Sequence, residues 1–116
     1  MTIIDSNLSA LKALDKKMQV TADNVANVNT NRFKKSRADL IEGQNSTVRV
    51  DIDKVDTPGF PIQEYEDDQW VDSETSNVDL AEELTETIPT SHAYEANLKV
   101  VRTSDEILGR LLDIIG

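Results

Sequence analysis

Residues 22–34 of this 116-residue chain read ADNVANVNTNRFK, and this stretch decides how the rest of the sequence is interpreted. Within it, Asn27, Asn29 and Asn31 fall inside five consecutive residues. Asn competes with the helical backbone for hydrogen bonds and tolerates left-handed conformations, so the run is typical of a helix end followed by a turn. We therefore expect a helix before the run and a change of chain direction after it.

The residues before this turn predict an amphipathic helix from about Asp5 to Asn27. Asp5 and Ser6 are candidate N-caps, because their short side chains can accept hydrogen bonds from the free amides of a first turn. Apolar residues recur at alternating spacings of four and three, which places them on one narrow stripe that Asp15 interrupts. The stripe consists of Ile4, Leu8, Leu11, Met18, Ala22 and Val25.

A second, longer helix is predicted from Ser76 to Ile115, with Ser76 or Asn77 as its N-cap. At about 1.5 Å per residue it would be about 55–60 Å long, which is more than the first helix can cover. Neighbouring molecules are therefore the expected cover. Its heptad seam consists of Leu80, Leu84, Tyr94, Leu98, Val101, Leu108, Leu112 and Ile115, with Thr87, Ser91 and Asp105 at polar positions.

Pro89 lies inside this second helix. It lacks the amide that would bond to the Thr85 carbonyl, and its ring crowds the preceding turn. We therefore predict a kink or a break between about Thr85 and Pro89.

The middle region, residues 32–75, is less regular. Residues 48–53, VRVDID, alternate between apolar and charged side chains, which is the pattern of a short half-buried strand. Residues 57–61, TPGFP, favour a turn. Residues 64–72 either supply a second strand through their two aromatic side chains, giving one small hairpin, or form a loose acidic loop.

These signals divide the chain into an N-terminal helix with its Asn-rich turn at residues 1–31, a middle region at 32–75 and a C-terminal helix at 76–116. The chain is short and poor in aromatic residues, so part of its stability is expected to come from assembly. The expected fold is mainly α. Its N- and C-terminal amphipathic helices pair in a coiled-coil-like bundle, with a short irregular or β-hairpin middle region.

The formal net charge of −10 argues against nucleic acid as a main partner, because phosphate binding needs a basic surface. The charge is uneven, since residues 51–95 are acidic with Lys54 as their only Lys or Arg. Residues 32–37 form a basic cluster, which is either a solvated face or a surface that docks onto the acidic segment of a neighbouring subunit. The basic cluster consists of Arg32, Lys34, Lys35 and Arg37.

The sequence contains no cysteine, nucleophile–base set, Gly-rich phosphate loop or paired metal motif, so we expect neither an enzyme nor a bound cofactor or metal. His92 with Glu95 supplies only two ligands, which makes a poor metal site. The acidic residues at 64–74 lack the ligand order and central Gly of a calcium loop. No apolar run reaches membrane-span length and no cleavable signal peptide is apparent, so membrane insertion and signal cleavage are not expected.

Two stretches resemble signatures of the flagellar basal-body rod and hook protein family. Residues 22–34 resemble its N-terminal signature, in which an Asn-x-Ala-Asn unit precedes Thr, a variable residue, Gly, an aromatic and a basic residue. Residues 76–84, SNVDLAEEL, with Ile88 and then YEAN at 94–97, resemble the C-terminal signature. The two signatures occur in the expected order at the two ends of one chain.

This resemblance implies a structural subunit whose terminal helices pair in the inner layer of a tubular filament and are disordered before assembly. It implies export through the flagellar type III apparatus and a location in the periplasm-spanning basal body. The implied partners are further copies of the chain, other rod or hook subunits and the export apparatus. The middle region lacks the large outer domain of hook and distal-rod proteins, which points to a small proximal-rod type or a divergent paralogue.

The chain departs from the family pattern at Arg32, where Gly is common. The turn must therefore use another backbone geometry or hold Arg32 in an unfavourable one. Ser91-His92 replaces a frequent Gln-Arg pair, and Pro89 is unusual at its position.

Asn24, Asn27 and Asn97 either fix the register between packed helices through buried amide hydrogen bonds, or end a helix (the first two) and face solvent (Asn97). Phe33 is expected to hold the chain against a helix after the turn, and Tyr94 to fill an apolar gap. The candidate assembly interface comprises Leu8, Leu11, Met18, Asn24, Val25, Asn27, Thr30, Phe33, Asn77, Leu84, Tyr94, Asn97, Leu98, Val101, Leu108 and Leu112.

The predicted function is polymerisation through the terminal helices, so that the assembly transmits torque. The alternative is a stand-alone acidic coiled coil that binds or regulates part of the flagellar export system. The Asn-rich turn favours the first function, because a generic coiled coil does not need it.

Overall fold

The computed structural model describes residues 3–116, so the first two residues of the predicted N-terminal part lie outside the described range. The molecule is elongated, with principal extents of 78 × 24 × 23 Å. Two helices enclose two separate antiparallel hairpins in the sequence. In chain order the elements are α1 Ile3–Ala26, β1 Ser36–Glu42, β2 Val48–Lys54, β3 Pro61–Glu66, β4 Gln69–Glu74 and α2 Leu80–Ile115.

The first helix ends where the Asn-rich run predicts. The Asn27 backbone amide donates to the carbonyls of Asp23 and Asn24, both at 3.1 Å, and the Asn27 side chain donates to the Asp23 carbonyl at 2.8 Å. The helical bonding pattern thus gives way to tighter turns after Ala26. The other end differs from the prediction, because α1 already begins at Ile3 and neither Asp5 nor Ser6 is its N-cap.

Hairpin 1, formed by β1 and β2, lies along α1. Its strands pair from Ser36 opposite Lys54 to Glu42 opposite Val48, which confirms the strand predicted at residues 48–53. A seven-residue strand spans about 23 Å, close to the roughly 22 Å of helix between Ser9 and Asn24. The loop end is attached to α1 by the Val48 amide, which donates to the Ser9 hydroxyl at 3.0 Å.

Hairpin 2, formed by β3 and β4, includes residues 64–72, for which the sequence allowed either a strand or a loose acidic loop. Its strands pair from Pro61 opposite Glu74 to Glu66 opposite Gln69, which leaves a two-residue connection. Asp67 and Asp68 have φ values of 49° and 65°, as a type I′ hairpin turn requires at both central positions. Asp lacks the conformational freedom of Gly, but it adopts positive φ values more readily than most other residues.

The two helices pack against each other in antiparallel orientation. Lys17 on α1 forms an ion pair with Glu86 on α2 at 3.6 Å. Leu14, which precedes Lys17, lies beside Thr90 and Tyr94, which follow Glu86, so the two helices run in opposite directions. The buried apolar core is small and centres on α1. It consists of Leu11, Ala13, Leu14 and Ala38.

The prediction of a mainly α, coiled-coil-like fold is wrong. The terminal helices do pair, but the middle region forms four strands in two hairpins. Hairpin 1 and α2 both pack against α1. The error arose because only residues 48–53 alternate regularly. The remaining strands are specified by their pairing and turns, which local periodicity does not reveal.

The second helix begins later than predicted. Asp79 is its N-cap, and the Asp79 carboxylate accepts a hydrogen bond from the Ala81 amide at 3.0 Å, so neither Ser76 nor Asn77 has that role. Glu82 and Glu83 follow in the first turn, where the helix dipole favours negative charge.

Pro89 does not interrupt α2, so the predicted break is wrong, while a kink there remains a prediction. Three threonine hydroxyls near the proline bond to the backbone of the helix. Those of Thr85, Thr87 and Thr90 donate to carbonyls four residues earlier, at 2.7, 2.9 and 2.8 Å. Such bonds are made to carbonyls that already accept a backbone hydrogen bond within the helix, and they are associated with helix bending.

Two glycines provide a matched test of the backbone packing. A methyl group at Gly59 would lie 2.0 Å from the Thr75 carbonyl oxygen, whereas one at Gly109 would meet nothing within 4 Å. We expect Gly59→Ala to lower the free energy of unfolding by about 1–3 kcal/mol through overpacking. Gly109→Ala should raise it by about 0.5–1 kcal/mol through helix propensity. Urea denaturation followed by circular dichroism measures both, and equal effects would contradict the Gly59–Thr75 approach.

Candidate assembly interface

Asn24 is the most completely buried large side chain among residues 3–116, with 1% of its surface exposed. Its Nδ2 donates to the Ser36 carbonyl at 2.8 Å, and its Oδ1 accepts from the Ser36 amide at 3.0 Å. The side-chain amide thus replaces a neighbouring strand for the first residue of β1. This pair of bonds joins the end of α1 to the start of hairpin 1, and it does not reach α2 as the register hypothesis proposed.

Asn77 makes a second set of amide bonds just before α2. Its Oδ1 accepts from the Lys35 amide at 2.7 Å, and its Nδ2 donates to the carbonyls of Val55 and Thr57 at 2.8 and 2.9 Å. Its own backbone amide donates to the Phe33 carbonyl at 3.3 Å. One side chain therefore ties the segments entering and leaving hairpin 1 to the start of α2.

The basic cluster bonds to carboxylates of its own chain, and its docking onto a neighbouring subunit remains a prediction. Lys34 pairs with Glu74 at the end of hairpin 2. Lys35, at 3.2 Å, and Arg37 both pair with Glu82 in the first turn of α2. The hydrogen bond from Arg37, assisted by the one from Lys35, lowers the pKa of Glu82, and the same bond raises the pKa of Arg37.

Arg32 occupies the position where the family pattern has Gly, and it has a left-handed φ of 64°. Its backbone amide donates to the Glu74 carbonyl at 2.9 Å, and its Nε donates to the Ser73 hydroxyl at 2.9 Å. Its guanidinium lies 3.3 Å from the Glu64 carboxylate. These bonds to hairpin 2 hold Arg32 in a conformation that costs a residue with a Cβ about 1–2 kcal/mol.

The other turn residues of the candidate interface bond locally. The Thr30 hydroxyl donates to Asn27 Oδ1 at 3.0 Å, and the Phe33 amide donates to the Thr30 carbonyl at 3.2 Å. Phe33 itself is half-buried beside the segment that precedes α2. These residues shape the turn, and an assembly role for them remains a prediction.

The predicted stripe on α1 is rotated relative to the buried face. Leu11 is buried, Met18 and Val25 are half-buried, and Leu8 is 45% exposed. Sequence reasoning missed Ala13, Leu14 and Thr21, which are buried. The spacing from Leu14 through Thr21 to Asn24 also fits one helix face, but two of these residues are polar and carried no apolar signal.

On α2, polar residues face α1 and the predicted seam lies outside. Glu83 and Thr90 are 4% and 5% exposed, whereas Leu84 and Leu98 are 55% and 45% exposed. At about 100° per residue, these leucines lie roughly 60–120° around the helix from the buried pair. Tyr94, Asn97 and Val101 lie on the same side of α2 as Glu83 and Thr90 and are half-buried. Asn97 donates to the Ala93 carbonyl of its own helix at 2.8 Å.

The end of α2 projects beyond the paired helices. Every residue from Asp105 to Gly116 is exposed, and we call residues 105–115 the overhang. Leu108 lies five helical turns after Thr90 on the same side of α2, yet it is 50% exposed because α1 no longer faces it. Leu112 is 69% exposed. The α1-facing side of α2 thus continues as an uncovered apolar surface.

The described part of the chain offers little for other chemistry. Among residues 3–116, no group of three His, Cys, Asp or Glu side chains is placed to hold a metal ion. Neither helix in that range is long and apolar enough to cross a membrane.

Two family profiles match the two ends of this arrangement. The profile described as "Flagella basal body rod protein" matches residues 4–34, which form α1 and the Asn-rich turn. The profile described as "Flagellar basal body rod FlgEFG protein C-terminal" matches residues 73–114, which include nearly all of α2. The chain belongs to the flagellar basal-body rod protein family.

Individual relatives share a short segment with this family member. The flagellar basal-body rod protein FlgG of Buchnera aphidicola subsp. Schizaphis graminum is 55% identical over 38 residues, which are 33% of this chain and 15% of that protein. FlgG of Bacillus subtilis is 46% identical over 41 residues, or 35% and 16% of the two chains. The chain therefore aligns with only about one sixth of each relative's length.

The Asn24 bonds predict a large effect from an isosteric change. In Asn24→Asp, one carboxylate oxygen would still accept from the Ser36 amide, but the other would face the Ser36 carbonyl in place of the amide nitrogen that donates to it. A negative charge would also be buried at this position. We expect the free energy of unfolding to fall by about 2–4 kcal/mol. Asn29→Asp, at an exposed position of the same turn, should change it by less than about 0.5 kcal/mol. Urea denaturation that gave similar losses for both variants would contradict the buried amide pair.

The lowered pKa of Glu82 predicts a pH dependence. Since the folded pKa lies below the ordinary value of 4.5, the stabilisation is present above pH 4.5 and is lost as pH falls through the folded pKa. Glu82→Gln should therefore be less stable than the wild type at neutral pH, with the difference shrinking in acid. Urea midpoints measured across this range provide the check. The exposed Glu106→Gln should parallel the wild type, and a Glu82→Gln difference independent of pH would contradict the ion pairs.

Proposed function

We propose that the chain is a structural subunit of the bacterial flagellar basal-body rod, assembling with further copies and with other rod or hook subunits. The observation that carries this proposal is the apolar surface of α2. Leu84, Leu98, Leu108 and Leu112 are each about half exposed or more, on the helix that the family's C-terminal profile matches. Exposed apolar side chains in this number along one helix are characteristic of an interaction site rather than a monomer surface.

The proposed mechanism is mechanical. Subunits related by a head-to-tail repeat form an open helical array, in which the apolar stripe of each α2 packs against helices of its neighbours. Because close-packed interfaces resist deformation, such an array transmits torque along its axis. In this proposal the bonds of Asn24 and Asn77 keep hairpin 1 fixed to α1, so that the middle region can make lateral contacts without shifting.

The subunit is proposed to reach this position through the flagellar type III export apparatus without cleavage of a signal. Its small core, centred on four side chains of α1 and hairpin 1, supports this part of the proposal. A chain with a modest core unfolds at low cost, and assembly then supplies stability by mass action.

The direct test is mass spectrometry of purified hook–basal bodies from the source bacterium. The proposal expects the chain there in amounts stoichiometric with other axial components. Its absence from basal bodies, with the chain retained in the cytoplasm, would contradict the proposal and favour the regulatory coiled-coil alternative.

A substitution on the outer stripe tests the role of α2. Leu98→Asp places a charge where the proposal buries an apolar side chain, which costs several kcal/mol in an interface. We expect at least a tenfold loss of incorporation into basal bodies, about 1.4 kcal/mol or more, with secretion into the medium unchanged. Thr103→Asp, on the polar side of the same helix, is the matched control and should incorporate normally. Secreted Leu98→Asp protein that assembled like the wild type would contradict the proposed interface.

A further inference from the structure

Hairpin 2 is attached to the rest of the molecule mainly by polar bonds. Within residues 3–116, neither of its strands packs extensively against a helix or against hairpin 1. Hairpin 1 differs, because both of its strands pack along α1. An isolated two-stranded hairpin is marginally stable in water, so the position of hairpin 2 needs another source of support.

This support comes from the turn that follows α1. The Arg32 backbone amide donates to the Glu74 carbonyl at 2.9 Å, and the Arg32 Nε donates to the Ser73 hydroxyl at 2.9 Å. The Arg32 guanidinium lies 3.3 Å from the Glu64 carboxylate, which also accepts a hydrogen bond from the Asn31 side chain. These contacts of Asn31 and Arg32 with hairpin 2 are here called the latch.

The base of hairpin 2 is held separately from the latch. The Asn77 side chain donates to the carbonyls of Val55 and Thr57, which precede the hairpin. Lys34 bonds to the same Thr57 carbonyl and pairs with Glu74 at the end of β4. The base can therefore keep its place while the rest of the hairpin turns about its two strand ends.

The latch contacts only one face of hairpin 2. Alternate residues of a strand share a face, and so do directly opposed residues of an antiparallel pair, so Glu64 and Ser73 lie on the same face. The opposite face carries Tyr65 and Trp70, which are 59% and 67% exposed. The hairpin is therefore held from one side, and release of the latch frees it to swing outward.

The latch also holds strain in the backbone of Arg32. Its φ of 64° lies in the left-handed region, where the Cβ of an L-residue crowds its own backbone. Gly enters this region at almost no cost, whereas Arg has no such freedom. A strained conformation persists only where the surrounding structure imposes it, so loss of the latch bonds lets Arg32 relax. The closed position of hairpin 2 and the strained backbone of Arg32 are thus coupled.

The latch is sensitive to dissolved ions. The side chains of Arg32 and Glu64 are 51% and 24% exposed, so salt reaches the pair and screens it. Hydrogen bonds from Ser73 and Asn31, together with the Arg32 charge, lower the pKa of Glu64. The Glu64 carboxylate is therefore charged at neutral pH, and its attraction to Arg32 weakens as the ionic strength rises.

We infer that hairpin 2 is a hinged arm and that Arg32 is its two-state latch. In the closed state Arg32 keeps its left-handed backbone and holds Glu64 and Ser73. In the open state Arg32 relaxes to an ordinary backbone conformation, and the arm swings away from the end of α1 with its exposed aromatic side chains. Raised ionic strength favours the open state. This device belongs to the single chain and does not depend on the proposed rod function.

Spin labels measure the position of the arm directly, because the sequence contains no cysteine that would take up label elsewhere. One label is attached to α1 at Gln19→Cys and the other to the open face of hairpin 2 at Gln63→Cys, both exposed positions. The control pair joins Gln19→Cys to the exposed Asp51→Cys on hairpin 1, which packs along α1. Double electron–electron resonance on the full-length chain gives the distribution of label distances for each pair.

Two changes at one position separate the strain from the bonds. Arg32→Ala removes the side-chain bonds and keeps the strained Cβ, so an open population should appear that the wild type lacks at low salt. Arg32→Gly removes the same bonds together with the strain. Its ratio of closed to open molecules should therefore be at least about fivefold higher than that of Arg32→Ala. Equal distributions for the two variants would overturn the strained latch.

The ionic part of the latch has its own check. Raising the salt concentration from about 0.1 to about 1 M shortens the screening length from about 10 to about 3 Å, so the wild-type ratio of closed to open molecules should fall. Glu64→Gln should be more open at low salt and should respond little to added salt. The Gln19–Asp51 pair should keep one distance throughout, because hairpin 1 stays on α1. A Gln19–Gln63 distance that stayed unchanged in Arg32→Ala, or a change of both pairs together, would overturn the arm.

Discussion

The structure depends on the hydrogen bonds between the Asn24 side chain and the backbone of Ser36. An isolated two-stranded hairpin is marginally stable in water, and a single helix such as α1 gains most of its stability from packing. The Asn24 amide joins α1 to hairpin 1 at a buried point, where the backbone groups of Ser36 would otherwise lack hydrogen-bond partners. It also fixes the register of β1, since a slip of one residue would turn Ala38 away from α1.

The rotation of α2 follows from this arrangement. Once β1 is fixed, the segment before it is fixed too, and Asn77, Lys35 and Arg37 bond the start of α2 to that segment. The helix therefore enters with Glu83 and Thr90 toward α1, and its leucines remain outside. Polar side chains occupy contact positions that apolar ones would fill in a stable monomer. A long apolar surface is thus left uncovered in the single chain, which fits the proposed stabilisation by neighbouring subunits.

The sequence alone predicted the helix end at the Asn-rich run, the long second helix and the strand at residues 48–53, because each rests on local chemistry or regular periodicity. The heptad seam of α2 predicted an apolar stripe correctly but not its direction. A stripe with a 3.5-residue repeat drifts around a helix of 3.6 residues per turn, so Leu84 and Leu108 cannot both face α1. Only the bonds at the start of α2 decide which part of the stripe is covered.

Other features could not be predicted because they join distant residues. The pairing of the basic cluster with Glu74 and Glu82 spans about forty residues of sequence or more, and nothing local distinguishes it from contacts with a neighbouring subunit. Hairpin 2 turns at Asp67-Asp68, which lacks the Gly that usually marks a two-residue hairpin turn. For Asn24, the motif indicated an important amide, but its partner became apparent only with the path of β1.

The most direct test of this account is amide hydrogen exchange, measured residue by residue by NMR on the purified, unassembled chain. The account predicts that the Ser36 amide is among the most protected in the molecule, because its acceptor is the buried Asn24 side chain. It predicts that amides of residues 105–115 exchange quickly, because neither α1 nor a neighbour covers the overhang. A Ser36 amide that exchanged as fast as those of the overhang would contradict the account, since the interaction on which the fold depends would then be absent from the free chain.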